Sequence, residues 1–65
     1  MNIKIIIPSY NPKDKLIDLV NELIKNNFEN ILIIDDGSDT ESKKIYSKIP
    51  KKVKIIYHDK NMGKG

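Results

Sequence analysis

The stretch Ile-Leu-Ile-Ile-Asp-Asp-Gly-Ser-Asp at residues 31–39 decides the fold, because a buried strand passes here directly into a polar turn. Its first four residues form a short apolar run, which is typical of a strand covered on both faces in a parallel sheet. The residues that follow favour turns and helix caps, so we expect a short helix to begin at Ser38 or Asp39, with Ser38 and Glu41 at the spacing of a capping box.

Two further strands flank this stretch. Residues 3–7 (Ile-Lys-Ile-Ile-Ile) are β-branched and nearly all apolar, and Pro8 is expected to end that strand. Residues 53–57 (Val-Lys-Ile-Ile-Tyr) predict a third strand, after Pro50 stops the short helix.

A longer helix is predicted between the first two strands. Asn11 suits the N-cap and Pro12 the first helical position, and Asn26-Asn27 offers a stop because asparagine tolerates the left-handed conformation. Apolar residues at helical spacing form one stripe: Leu16, Leu19, Val20, Leu23 and Ile24.

The order βαβαβ predicts an α/β fold, in which two crossover helices connect a three-stranded parallel sheet with right-handed connections. We expect one domain over residues 1–65.

Composition narrows the class of protein. There is no cysteine, and the lone His58 cannot by itself make a zinc site. The net charge of +3 comes from lysines that are scattered and not interleaved with aromatic residues, so nucleic acid is not an expected partner. No apolar run is long enough to span a membrane and no signal peptide is evident, so we expect a cytoplasmic protein.

The residues suited to chemistry follow the strands. Ligands of parallel α/β sheets bind outside the carboxyl ends of the strands, where residues 8–11, 35–38 and 58–65 are expected to meet. A dinucleotide fingerprint needs glycines after the first strand, and Pro-Ser-Tyr-Asn has none. Gly63-Lys64 also lacks the earlier glycine of a phosphate-binding P-loop. Taken alone, Asp35-Asp36-Gly37-Ser38 is as compatible with turn and cap chemistry as with a site.

Three motifs together carry a more specific signal. They are Ile-Ile-Ile-Pro-Ser-Tyr-Asn at 5–11, Ile-Leu-Ile-Ile-Asp-Asp-Gly-Ser-Asp at 31–39 and Asn-Met-Gly-Lys-Gly at 61–65. In this order they resemble the start of the family-2 glycosyltransferases, which have the GT-A fold and use nucleotide-diphosphate sugars. The ending is similar to that of the branch that glycosylates polyprenyl phosphates. The resemblance covers essentially the whole chain.

The resemblance implies a nucleotide site made of Pro8, Tyr10, Ile34, Asp36 and Lys64. Tyr10 would stack on the base or contact its edge, and Pro8 would set the turn beside it. Asp36 would accept the N3–H of uracil, or the equivalent group of guanine, and Ile34 would floor the pocket. Lys64 would approach the diphosphate. On the same strand, Asp35 would point the opposite way and bond backbone amides.

The resemblance also implies what these residues lack. Family members hold Mg²⁺ or Mn²⁺ with an Asp-x-Asp motif after a fourth strand, and a later carboxylate acts as the base for inverting transfer to an acceptor hydroxyl or phosphate. We therefore assign this chain no catalytic residue and no metal site, and expect a truncated, inactive segment. The implied strand order 3-2-1-4 would leave residues 3–7 as an exposed edge, which predicts a homodimer through that strand or through an uncovered sheet face. The alternative is a non-catalytic α/β module that acts in oligomerisation or partner binding.

Overall fold

The computed structural model describes residues 3–58, and strands and helices alternate along them. The elements are β1 (Lys4–Ser9), α1 (Asp14–Lys25), β2 (Asn30–Asp36), α2 (Thr40–Lys43), a 3₁₀ helix (Lys44–Lys48) and β3 (Lys54–His58). The strands form one parallel sheet in the order β1-β2-β3. This confirms the predicted α/β arrangement, and the order agrees with the 3-2-1 part of the order that the resemblance implies.

Both helical connections pack on one face of the sheet. Each step from strand to strand moves to the next neighbour in the same direction, so right-handed crossovers bring both connections to the same side. The buried core lies between them and the sheet: Val20, Ile31, Ile33, Tyr46, Ile49 and Val53. The shortest extent of the molecule is 15 Å, which fits one sheet and one layer of helices.

The opposite face of the sheet is uncovered within residues 3–58. On β2, Ile33 is fully buried on the helix side, whereas the next residue, Ile34, is only partly buried. Ile6 and Ile56 are 55% and 47% exposed. We call this surface the open face, and alternation along the strands places ten residues on it: Lys4, Ile6, Pro8, Asn30, Leu32, Ile34, Asp36, Lys54, Ile56 and His58. The expectation that the strands are covered on both faces is therefore wrong for the described residues.

Pro8 does not end the first strand as expected. β1 continues through Pro8 to Ser9, and Pro8 is in register with Ile34 of β2. An edge strand tolerates a proline where the missing N–H would face away from its neighbour, and β1 has only β2 beside it among the described residues.

Asn11 is not the N-cap of α1, and Pro12 is not its first residue. The helix begins at Asp14 after an extended Lys13, and no side chain caps it. Asn11 instead has a φ of 46°, in the left-handed region that asparagine tolerates better than most residues. The predicted stop is confirmed, since Asn26 is the C-cap and Asn27 has a φ of 70°.

The second helix begins after Asp39, one of the two predicted starts. The Asp39 carboxylate accepts a hydrogen bond from the Ser42 N–H at 2.8 Å, which satisfies one of the unpaired donors of the first turn. The capping box between Ser38 and Glu41 is therefore wrong, because Ser38 is buried and bonded elsewhere.

Candidate functional site

The carboxyl edge of the sheet brings the predicted strand-end segments together. Pro8 lies opposite Ile34, and Asp36 lies opposite His58. Adjacent strands are about 4.8 Å apart, so these side chains are direct neighbours on the open face. Tyr10 follows β1 at this edge and is 59% exposed. Three of the five predicted site residues therefore share one surface, and Tyr10 lies next to it in sequence. Lys64, the fifth, lies outside the described residues.

A buried carboxylate supports this edge from the helix side. Asp35 is fully buried, and it accepts hydrogen bonds from the Ser38 N–H at 3.1 Å, from the Ser38 hydroxyl and from the Tyr46 hydroxyl. The Ser9 hydroxyl oxygen lies 2.9 Å from that of Tyr46. No buried side-chain polar atom of the described residues lacks a hydrogen-bond partner. The network therefore offsets the cost of burying a charge.

The pKa values of this network follow from its contacts. Burial alone would raise the pKa of Asp35, but the hydrogen bonds from Ser38 and Tyr46, with the nearby charge of Lys43, outweigh burial and lower that pKa. Burial, together with the hydrogen bond to Asp35, raises the pKa of the Tyr46 hydroxyl. Asp35 is thus a buried anion that accepts from a neutral phenol. This agrees with the structural role expected for it, although hydroxyls contribute more of its bonds than backbone amides do.

The two adjacent aspartates have opposite environments. Asp36 points to the open face and is exposed, and its carboxylate lies 3.6 Å from Nδ1 of His58. Gly37 follows with a φ of 80°, a conformation that favours glycine and lets the chain turn back so that Ser38 reaches Asp35. One aspartate therefore fixes the loop while the other faces solvent.

Asn11 connects the loop after β1 to the loop after β2. Its backbone N–H donates to the Ser38 hydroxyl oxygen at 2.7 Å, and its side-chain oxygen accepts from the Asp39 N–H at 3.0 Å. Tyr10 precedes Asn11 directly, so these two bonds fix the chain on one side of Tyr10 while β1 fixes it on the other. The loop that carries Tyr10 is therefore held to the loop that follows Asp36.

Sequence reasoning missed two contributors to this edge, Ser9 and Tyr46, which complete the buried network. His58 is an exposed residue at the end of β3, and its position beside Asp36 was not predicted. The burial of Ser9 could have been predicted, because Ser9 lies two positions after Ile7 and therefore on the same, buried side of β1. Nothing in the sequence indicated the register that pairs Asp36 with His58.

The described residues line a hollow at each end of the sheet. One, of about 280 Å³, lies at the carboxyl edge and is lined by Asp35, Gly37, Ser38, Asp39, Lys43, Tyr57 and His58. The other, of about 220 Å³, lies at the amino edge beside Lys4 and Lys54. Ligands of parallel sheets bind at the carboxyl edge, and the hollow of about 280 Å³ adjoins the candidate site there.

Residues 3–58 contain no group of three or more histidine, cysteine, aspartate or glutamate side chains that could hold a metal ion. Asp35 is already engaged by Ser38 and Tyr46.

None of the described helices is long and apolar enough to cross a membrane.

The chain is a parallel α/β protein whose loops are fixed at the carboxyl edge, the edge at which proteins of this class bind ligands. Comparison with known proteins identifies the family. The sequence model of Glycosyl transferase family 2 matches residues 4–65. The chain is 33% identical over 78 aligned positions to a UDP-N-acetylglucosamine–dolichyl-phosphate N-acetylglucosaminyltransferase of Methanococcus voltae. The alignment includes 97% of this chain and 31% of that enzyme. No solved structure matched.

The chain therefore belongs to glycosyl transferase family 2. It spans about a third of the length of the curated relative.

Proposed function

We propose that this chain binds the nucleotide of a nucleotide-diphosphate sugar at the carboxyl edge of its sheet. UDP-sugars are the first candidates and GDP-sugars the second. The observation that carries the proposal is the placement of Pro8, Ile34 and Asp36 on one surface, with Tyr10 immediately after the strand. The M. voltae relative is named for a UDP-sugar donor, which supports the same choice here.

Each residue has a defined part in this proposal. The Tyr10 ring stacks on the base, an interaction worth roughly 1–3 kcal/mol for a base on an aromatic ring. The Asp36 carboxylate accepts the ring N–H of uracil in a charge-assisted hydrogen bond. Pro8 and Ile34 give the base an apolar floor. Lys64, between Gly63 and Gly65, approaches the diphosphate.

The reaction proposed for the whole enzyme is an inverting transfer to an acceptor hydroxyl or phosphate. The acceptor oxygen forms a bond to the anomeric carbon, the bond from that carbon to the diphosphate oxygen breaks, and the nucleoside diphosphate leaves with the electron pair. When the acceptor is a hydroxyl, its proton passes to a base. The relative is named for dolichyl phosphate, which supports a polyprenyl phosphate acceptor. We assign neither the base nor a metal ligand to residues 1–65, so the proposal for this chain is binding without turnover.

Titration with UDP tests the binding site. We expect chemical-shift changes in the amide spectrum at Tyr10, Ile34 and Asp36, and their loss in the Asp36→Ala variant. Asp18→Ala removes another exposed carboxylate, on α1, and should leave the response intact. If neither UDP nor GDP at millimolar concentration shifts these amides, the proposal is wrong for this chain.

A second candidate function is self-association as a non-catalytic module. Ile6 and Ile56 on the open face are 55% and 47% exposed, and β1 has an unpaired edge among the described residues. Sedimentation equilibrium distinguishes this candidate. A dimer that Ile6→Lys converts to a monomer, with no response to UDP, would favour it. A monomeric wild-type chain would exclude it.

A further inference from the structure

The charged side chains are unevenly distributed over the fold. Residues 40–58 contain six lysines and a single carboxylate, that of Glu41, whereas residues 3–39 contain four lysines and seven carboxylates. Residues 40–58 thus carry a net charge of +5, with His58 neutral, and residues 3–39 a net charge of −3. We call the positively charged surface the basic side, and it consists of Lys43, Lys44, Lys48, Lys51, Lys52 and Lys54.

The fold brings the basic side to one edge of the molecule. α2, the 3₁₀ helix and β3 pack together, and β3 is the last strand of the described sheet. All six lysines are exposed. Lys52 and Lys54 line the hollow at the amino edge, and Lys43 lines the hollow at the carboxyl edge. The basic side therefore extends along the whole length of β3, up to the edge that carries the proposed nucleotide site.

Stability does not account for this concentration of charge. Lysines gathered at one edge repel each other, and within residues 3–58 one of the six, Lys44, forms an ion pair, with Glu41 at 3.3 Å. Both side chains of that pair are exposed, so the pair stabilises the fold little. Two further exposed side chains lie on β3 beside the lysines, Ile56 at 47% and Tyr57 at 54%. Lysines together with exposed apolar and aromatic residues are typical of surfaces that bind the headgroup region of a membrane.

We infer that the basic side docks the chain on the surface of a bilayer that contains anionic lipids. The lysines contact the headgroup phosphates, and Ile56 and Tyr57 reach the boundary between the headgroups and the acyl chains. The charge distribution is independent of the proposed function. The choice of a lipid surface rests in part on that function, since a polyprenyl phosphate acceptor would lie in a membrane.

This orientation keeps the proposed nucleotide site close to the lipid. Adjacent strands are about 4.8 Å apart, so Asp36 on β2 is one strand spacing from β3 and Pro8 on β1 is two spacings from it, about 10 Å. Docking through α1 would instead present carboxylates to the headgroups. Asp14, Asp18 and Glu22 recur every four residues along that helix and would repel an anionic surface.

A nucleic acid fits the basic side less well. The chain contains no arginine, the residue that most often reads guanine through two hydrogen bonds. Single strands are bound on several aromatic rings, whereas Tyr57 is the one exposed aromatic residue within residues 40–58. The Nζ of Lys43 already lies 5.5 Å from the centre of that ring.

Binding to vesicles tests the docking surface. The 65-residue chain is titrated with vesicles of phosphatidylcholine alone and of phosphatidylcholine with about a third phosphatidylglycerol. We expect binding to the anionic vesicles alone, and its loss between about 50 and 500 mM NaCl, because salt screens the charges. A lysine near an anionic surface contributes about fivefold to affinity, so the triple variant Lys48→Gln, Lys51→Gln and Lys52→Gln should bind about a hundredfold more weakly.

The matched control removes three lysines from the other side of the molecule. Lys13→Gln, Lys15→Gln and Lys25→Gln together lower the net charge equally, and these three lysines are exposed at the start and in the last turn of α1. We expect this variant to bind the vesicles no more than about threefold more weakly than wild type. Both triple variants should keep the amide response to UDP, since no substituted residue belongs to the proposed nucleotide site.

The outcomes separate the two proposals. UDP binding without binding to anionic vesicles, or equal weakening in both triple variants, overturns the docking surface and leaves the nucleotide site in place. Vesicle binding that depends on the basic side, without any response to UDP, overturns the nucleotide site and supports the docking surface. An oligonucleotide that binds more tightly than the vesicles at the same salt concentration would overturn the lipid surface and assign the basic side to nucleic acid.

Discussion

The hydroxyl of Tyr46 donates a hydrogen bond to the buried carboxylate of Asp35, and this contact joins the second helical connection to the carboxyl edge of the sheet. The Tyr46 ring also contacts Tyr57 of β3 edge-on, with centroids 5.7 Å apart. One side chain from the 3₁₀ helix thus contacts both β2 and β3 close to the loop that follows Asp36. Tyr46, which is not among the proposed nucleotide-binding residues, therefore supports this edge from the helix side.

Tyr46→Phe tests the contribution of that hydroxyl to stability. The substitution keeps the ring in the core but removes a hydrogen bond to an ionised group, and such bonds contribute about 1.5–3 kcal/mol. We expect the free energy of unfolding in urea to fall by about that amount. Tyr57→Phe is the matched control, because Tyr57 is 54% exposed, and its loss of a hydroxyl should change stability little. Equal stability of the two variants would contradict the role given to Tyr46.

The same network predicts how stability depends on pH. The folded-state pKa of Asp35 is lowered from 3.8, so its contribution is present above that pH and is lost as pH falls through the folded pKa. The folded-state pKa of Tyr46 is raised from 10.0, so its contribution is present below pH 10.0 and is lost as pH rises through the folded pKa. The melting temperature, measured as a function of pH, should therefore fall at both low and high pH.

Single substitutions identify which side chain causes the loss of stability at low pH, the acid limb, and at high pH, the alkaline limb. Tyr46→Phe should flatten the alkaline limb, and Asp35→Asn should reduce the acid limb. Asp39 also has a lowered pKa, through its hydrogen bonds from Ser42, so Asp39→Asn serves as the control that separates the helix cap from the buried network. An acid limb that survives Asp35→Asn unchanged but disappears in Asp39→Asn would assign it to the cap instead.

The sequence was sufficient to predict the parts of the fold that depend on local periodicity. The three apolar runs and the stripe on α1 predicted the parallel α/β sheet, and alternation along β2 placed Asp35 and Asp36 on opposite faces. The same alternation predicted that Ile34 lies on the same face of β2 as Asp36. These features require only the order of residues within one element.

Features that depend on contacts between distant segments were not predictable. Asn11 and Pro12 form a good local start signal for a helix, but Asn11 instead bonds Ser38 and Asp39, 27 and 28 residues away. These tertiary bonds outweigh the local cap preference, which is worth about 1 kcal/mol. The neighbourhood of Asp36 and His58 likewise depends on strand register, which no single strand encodes.

Asn11 has two separable roles, and two substitutions distinguish them. Asn11→Gly keeps the left-handed backbone but loses the bond to the Asp39 N–H, which should cost about 0.5–1.5 kcal/mol. Asn11→Ala also places an alanine in the left-handed region, at a further cost of about 1–2 kcal/mol. We expect unfolding in urea to rank wild type above Asn11→Gly and Asn11→Gly above Asn11→Ala. An alanine variant as stable as the glycine variant would show that the left-handed backbone is not maintained.

The two adjacent aspartates should respond oppositely to the same conservative change. Asp35→Asn replaces a buried acceptor with an amide whose donors face the hydroxyls of Ser38 and Tyr46, so it should destabilise the fold by about 1–3 kcal/mol. Asp36→Asn changes an exposed side chain, so stability should stay within about 0.5 kcal/mol of wild type while UDP affinity falls about tenfold or more. Urea unfolding and UDP titration on both variants measure the separation. If Asp36→Asn lost UDP binding and were also destabilised as much as Asp35→Asn, Asp36 would support the fold and would not contact the base.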